Sequence, residues 1–465
     1  MSGCYDGGPQ GNADTEAAGT GGTGADDGAG TADDDGPTAG GGSAGDDDDP
    51  DSGTIPDPPP DCFPGAVGCE CLDGNCEGLS TCEDNVCIPG PPVPEVDGDG
   101  QAIAGLAIEL NGDIDDDPDL AGFDQLQWTQ VDGPDATIAY EFGTQAVAYL
   151  PEDAETGMEF TFRLSASLGD VMTSADYSVT ILAATAIGPM DEAAEVIALG
   201  GASFIPRGGN DYWIATPGGN LAQIDDNAIS GEYDLMSPIA DVLNYDGGLI
   251  LVTQPDIQTV TAFNVNNLMP EPFLTELSGG AALGGVGVLA VDGDDNVYIG
   301  TAENDIVYYD SPDGAEPATS TVMESMSVTP TALALGDVPV PPDIDEGDEG
   351  NVLYVGASDG DVWQIGLSAA EDGSPLDLGN AVPYLSVPGS GPVTGLSIDG
   401  VGNMWVGKSS GLYLVRRQNK SAPSVVRTIS PTAGLQGFSG LRVDDGGLVW
   451  IDPGSGRVGE MITGQ

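Results

Sequence analysis

The chain has 465 residues, more than one ordinary domain needs. Nine Lys plus Arg stand against 77 Asp plus Glu, and the net charge of −68 excludes nucleic acid as a partner and argues against docking on an anionic membrane through a basic patch. There is no histidine, which removes the commonest base near neutral pH, the Ser–His and Cys–His nucleophile pairs and imidazole metal ligands, and leaves catalysis by carboxylates with a hard cation open.

The opening Met1-Ser2-Gly3-Cys4 sets small residues just before a cysteine and resembles the end of a bacterial lipobox, where a leader is cut and the cysteine is acylated. The resemblance implies a lipid anchor on Cys4 of an outer-membrane or cell-surface lipoprotein; an ordinary cysteine near a terminus is the alternative. A charged and then an apolar region should precede such a site. Neither is present, which implies a start codon assigned too late or a trimmed leader. Residues 1–60 read as a disordered tether, with runs such as Asp46-Asp47-Asp48-Asp49 and too few apolar side chains to offset the entropy of ordering. Glycine makes such a tether flexible and like charges extend it.

Residues 61–90 hold six cysteines: Cys62, Cys69, Cys71, Cys76, Cys82 and Cys87. A segment this short has no core of its own and needs covalent staples, so three disulfides are expected, in an oxidising compartment and with a pairing that spacing does not resolve. Zinc is the rival reading, weakened by the lack of paired CxxC motifs.

After the Pro-rich linker Gly90-Pro91-Pro92-Val93-Pro94, residues 95–184 read as all-β. Strand patterns occur at 106–110, 125–130, 146–150, 159–166 and 176–182, and strands this short in such succession predict a β-sandwich. The Asp-rich loop 112–119, Trp128-Thr129-Gln130-Val131-Asp132-Gly133-Pro134 and the Phe160-x-Phe162-x-Leu164 strand resemble a PKD-type immunoglobulin-like domain. Such modules are spacers or adhesive units outside the cell, and the resemblance implies that Trp128 fills the core between the sheets. Asp113, Asp115, Asp117 and Asp119 alternate as oxygen ligands for Ca²⁺ would, but Pro118 stands where a calcium loop wants glycine, and a solvated loop is the competing reading.

Residues 190–465 carry a repeat of strand, Gly/Asp/Asn turn, aromatic-hydrophobic strand, turn and third strand. Its equivalent central positions are Trp213, Ile250, Tyr298, Tyr354, Trp405 and Trp450, separated by 37, 48, 56, 51 and 45 residues. These spacings suit four-stranded blades and predict a six-bladed β-propeller. The sixth copy stops after its third strand, and an open edge there would leave the ring unsealed. The spare stretch 194–199 is therefore expected to pair as the outer strand of the last blade. Leu289-Ala290-Val291-Asp292-Gly293-Asp294-Asp295-Asn296-Val297-Tyr298-Ile299 resembles the NHL pattern. Asn403-Met404-Trp405-Val406-Gly407 with Gly411-Leu412-Tyr413 resembles the two-component-regulator type.

The fold expected for the whole chain is thus all-β: a six-bladed propeller preceded by an immunoglobulin-like sandwich, a disulfide-rich knot and an acidic tether. No P-loop, GxSxG, GxGxxG or HExxH motif appears. Propeller lactone hydrolases hold a divalent metal in the channel with Glu, Asn and Asp, and Asp292, Asp294, Asp399 and Asp444 are acidic candidates; an Asp after the first strand is more simply a turn former. The expectation is a non-enzymatic binding or scaffold module that holds a protein or glycan at a propeller face, without a cofactor other than Ca²⁺ at the Asp113–Asp119 loop. A metal-dependent hydrolase and a plain adhesive spacer are the alternatives.

Overall fold

The computed structural model describes residues 69–462, except 73–80, 89–92, 115–124, 184–202, 311–318, 337–351, 368–378, 417–422 and several segments of one to four residues. The expected tether, Cys4 and the 194–199 strand lie outside the described residues.

In the Cys-rich segment a short hairpin pairs Thr81–Glu83 with Val86–Ile88, and Cys71 is disulfide-bonded to Cys82. Cys69 and Cys87 are disulfide-bonded as well. Thiols tied in this way are not zinc ligands. Cys62 and Cys76 lie outside the described residues.

Residues 94–182 form two four-stranded sheets. In one, Gly100–Ile103 pairs in parallel with Val171–Leu182, followed by Glu159–Leu168 and Gln125–Asp132; in the other, Pro94–Val96, Ala107–Ile114, Gln145–Tyr149 and Thr137–Ala139 lie in that order. Strict alternation in Glu159–Leu168 drives Phe160, Phe162 and Leu164 inward, where all three are fully buried with Trp128. The indole N–H of Trp128 donates to the Thr144 carbonyl at 3.0 Å, so its burial leaves no polar group unmet. The Pro-rich stretch read as a linker runs directly into this domain, because Pro94 already opens a strand paired to Ile114. Proline is tolerated there as the first residue of an edge strand.

Six further sheets follow in chain order, five of four strands and a last one of three among the described residues. Their first strands are Ser203–Pro206, Val242–Tyr245, Val286–Val291, Pro330–Gly336, Gly395–Ile398 and Ser439–Asp444. Each lies against the first strand of the next sheet, and the sixth lies against the first. Every sheet is antiparallel and sequential, so two kinds of connection share each face of the propeller. Second-to-third-strand loops and sheet-to-sheet loops emerge on what we term the upper face. First-to-second and third-to-fourth turns emerge on the lower face.

The six central repeat positions are buried, Trp213, Ile250, Tyr298, Tyr354, Trp405 and Trp450 alike, and fill the space between neighbouring sheets. Two residues beyond the aromatic, Gly356 and Gly407 let the next sheet approach. A Cβ on Gly356 would lie 2.4 Å from Val393, and one on Gly407 would lie 2.6 Å from the Phe438 carbonyl. Since real Cβ atoms do not approach backbone so closely, the Gly407→Ala variant is expected to lose about 2 kcal/mol, the usual scale of overpacking. Urea unfolding, with an exposed Gly279→Ala variant as control, measures it.

Candidate functional site

The first strands bring together one cross-sheet constellation, centred on Asp241. This residue precedes the first strand of the second sheet and is 8% exposed. Its Oδ1 accepts from the Ser203 hydroxyl of the first sheet at 2.5 Å and from its neighbour Val242 N–H at 2.9 Å. Its Oδ2 accepts from Leu289 N–H of the third sheet at 2.9 Å. Arg442, from the sixth sheet, reaches across with Nη2 at 3.3 Å from both Asp241 Oδ1 and the Val242 carbonyl. One carboxylate and one guanidinium thus tie four sheets together where the first strands meet, and a carboxylate so engaged has few lone pairs left for a metal.

The other acidic candidates serve turns on the lower face. Asp292 accepts from the backbone N–H groups of Asp294 and Asn296 and from the Asn296 side chain. Asp399 accepts in the same way from Val401 and Asn403. Both are Asx-type caps of the first hairpin. Tyr298 also donates its hydroxyl to Asp292 at 3.1 Å, and burial, followed by that carboxylate, pushes the phenol upward so that it stays a donor. Asp294 is exposed, and Asp444 ends its strand opposite Gly447. Among the described residues no group of three or more His, Cys, Asp or Glu side chains could hold a metal ion. Of the Asp-rich sandwich loop only Asp113 is described: it is exposed and accepts from Ile114 N–H. Asp115, Asp117 and Asp119 lie outside the described residues.

On the upper face, residues at the ends of second strands hold the loop that arrives from the preceding sheet. Gln254 donates to the Leu235 and Ser237 carbonyls at 3.0 and 3.4 Å. Lys408, only 1% exposed, donates to the carbonyls of Gly360, Val387 and Gly389 at 3.0, 3.1 and 3.3 Å. The Gln254 contacts flank Met236, which is 90% exposed, has a φ of +63° and gives its N–H to Asp234. Ile257, just beyond Gln254, is 55% exposed. A non-glycine residue on a left-handed backbone is strained, and such strain clusters at functional sites.

The lower face of the fifth sheet is covered by the sandwich. Asn403 in the first turn donates Nδ2 to the Ala107 carbonyl at 2.8 Å and accepts from Ala107 N–H at 3.1 Å, so one amide pairs with the sandwich backbone as a strand would. Arg416 donates to the Leu150 carbonyl at 2.9 Å and lies over the Tyr149 ring, 5.4 Å from its centroid. Arg427 donates to the Ala104 carbonyl at 3.2 Å. Val401 packs on Ala107 and Val147. Two of the nine basic residues are therefore used to join the domains. No motif reveals Asp241, Arg442, Lys408 or Arg427 in the sequence; the scarcity of cations is the one signal that could have pointed to the last three.

No protein-family model and no curated protein matches the chain. Solved structures are similar in fold. A protein of unknown function from Bacteroides thetaiotaomicron is 12% identical with a TM-score of 0.43, covering 80% of this chain and 98% of its own. A gluconolactonase from Xanthomonas campestris is 14% identical with a TM-score of 0.41, covering 54% of this chain and 81% of its own. An auxiliary nutrient binding protein from Bacteroides thetaiotaomicron is 10% identical with a TM-score of 0.39, covering 80% of this chain and 97% of its own. With its own succession of antiparallel sheets, the chain is an all-β protein of the β-propeller class.

Proposed function

We propose that the chain is an extracytoplasmic lipoprotein, anchored through Cys4, whose propeller holds a protein or glycan at its upper face without catalysis. The PKD-like sandwich braces the propeller from the opposite side. The observation that carries the reading is the engagement of the inner-strand carboxylates: Asp241 is spent on Arg442 and three other donors, and Asp292 and Asp399 are spent on their turns. A hydrolase of the lactonase kind needs several such oxygens converging about 2.3 to 2.6 Å from a divalent cation. The upper face is opposite to the one that the sandwich meets, and it offers Met236 and Ile257. The Cys71–Cys82 disulfide favours an oxidising compartment.

Three measurements test this. Mass spectrometry of the native N-terminus is expected to find a diacylglyceryl group on Cys4, and an unmodified Cys4 removes the anchor. Glycan and secreted-protein arrays probed with the full chain should give a signal that the Met236→Asp, Ile257→Asp double variant loses while its melting temperature holds. Calcium-dependent hydrolysis of a sugar lactone that Asp241→Asn abolishes would replace binding by catalysis.

A further inference from the structure

The sandwich meets the propeller through the sheet that contains Ala107, Val147 and Tyr149. Its other sheet turns its outward face away from that junction. Residues 95–184 hold 19 acidic side chains and one basic one, Arg163. Nevertheless, the middle of the outward face carries no net charge. Cross-strand register builds it in three rows: Asp176–Arg163–Thr129, Ser174–Ser165–Gln127 and Met172–Ser167–Gln125. Phe142 extends the middle row, bridged to Gln127, and is 63% exposed. Met172 stands at the opposite margin, 70% exposed.

The one acid of this region is neutralised by the one base. Arg163 Nε and Nη2 donate to the two Asp176 oxygens at 2.6 and 2.8 Å, a bidentate pair that fixes both groups flat on the sheet. The Arg163 hydrogen bond holds the Asp176 carboxyl below its ordinary range. Apart from Met172 at the margin, the rest of the three rows is hydroxyl and carboxamide, groups that both donate and accept. The other acids on the described strands of this sheet stand at strand ends: Asp132 closes Gln125–Asp132 and Glu159 opens Glu159–Leu168.

We infer that this face is a docking surface for a neutral polysaccharide. Charge and hydrogen-bonding groups select this ligand. A second copy of this chain, at −68, is repelled, as is an anionic polymer. A basic partner would find no unpaired carboxylate in the three rows. A neutral polyhydroxylated chain meets no electrostatic penalty and finds donors and acceptors spaced by about 4.8 Å across the strands. The exposed Phe142 ring supplies the apolar plane on which the C–H face of a sugar ring stacks. This surface is separate from the upper propeller face.

The test uses the full disulfide-bonded chain in co-sedimentation with microcrystalline cellulose and chitin, and in affinity electrophoresis through a soluble neutral glucan and through polygalacturonate. Retention by at least one neutral polymer, at high as well as low salt, is the expected result. The Phe142→Ala, Gln127→Ala double variant should weaken it by about tenfold, the scale of one lost stacked ring with its neighbouring hydrogen bonds. The melting temperature should not change, since both side chains lie on the solvent side. The Met236→Asp, Ile257→Asp variant should bind as well as wild type, which separates this surface from the propeller reading. Failure of every neutral polymer to retain the wild type, retention by polygalacturonate alone, or equal retention of the Phe142 variant would each overturn the assignment.

Discussion

Replacement of Lys408 by methionine is expected to destabilise the protein by about 3 kcal/mol, the scale set by stranding buried carbonyls that have lost their donor. Methionine matches the stem of the lysine and removes only the ammonium, so the loss reads the hydrogen bonds rather than a cavity. Three carbonyls converge on Nζ from two successive loops, 358–360 and 387–389. Among the described residues no carboxylate pairs with it; burial lowers the pKa of the amine, and Asp361 and Asp359 work against that at longer range. The ammonium thus acts as a tethered cation that holds the fourth sheet's loops against the fifth. Gly360 shows how closely the cage is built, because a Cβ there would lie 2.8 Å from Nζ, on a backbone with a φ of +92°. The Lys408→Gln variant is the informative companion. Gln254 holds the corresponding loop between the first and second sheets with a carboxamide, so glutamine at 408 should recover part of the loss. Urea unfolding of both variants measures it, and equal losses for methionine and glutamine would show that charge, not donor count, is what the loops require.

The parts of the fold legible in the sequence were those whose signal is local. The first three strands of every sheet announce themselves as short apolar runs broken by Gly, Asp or Asn, as at Tyr212–Ala215 before Gly218 and Gly219. Fourth strands do not. Ala228–Asp234 alternates exposed and half-buried along its whole length, and Met269–Leu274 holds two prolines that keep its outer edge from pairing further. Such strands take their place from the three inside them, not from their own pattern. The Asp292 and Asp399 caps were legible for the same local reason, each being followed four residues later by an Asn. The Asp241–Arg442 link and the join between sandwich and propeller were not, since their partners lie 201 and 296 residues apart in the chain and many of the acceptors are backbone carbonyls, which leave no mark on residue identity.

That join leads to the second large effect. The Asn403→Asp variant is expected to cost about 3 kcal/mol at pH 8, because a carboxylate would face both the Ala107 carbonyl and Asp399 where an amide now donates to each. Burial already pushes Asp399 up to about 6, and the Asn403 hydrogen bonds are the largest influence holding it down. Because the folded state binds the Asp399 proton more tightly than the unfolded chain does, its charge costs stability above about pH 6, and the cost fades as the pH falls toward the ordinary carboxylate range. Loss of Asn403 moves that folded value higher. Both Asn403→Asp and Asn403→Ala should therefore be more damaging at pH 8 than at pH 5, whereas Lys408→Met should cost the same at both. The same amide completes the backbone pairing of Ala107, so its loss should also loosen the sandwich, and calorimetry is expected to resolve one transition into two. A single transition that persists in both Asn403 variants, with equal losses at the two pH values, would place the hold on the sandwich with Arg416 and Arg427 instead.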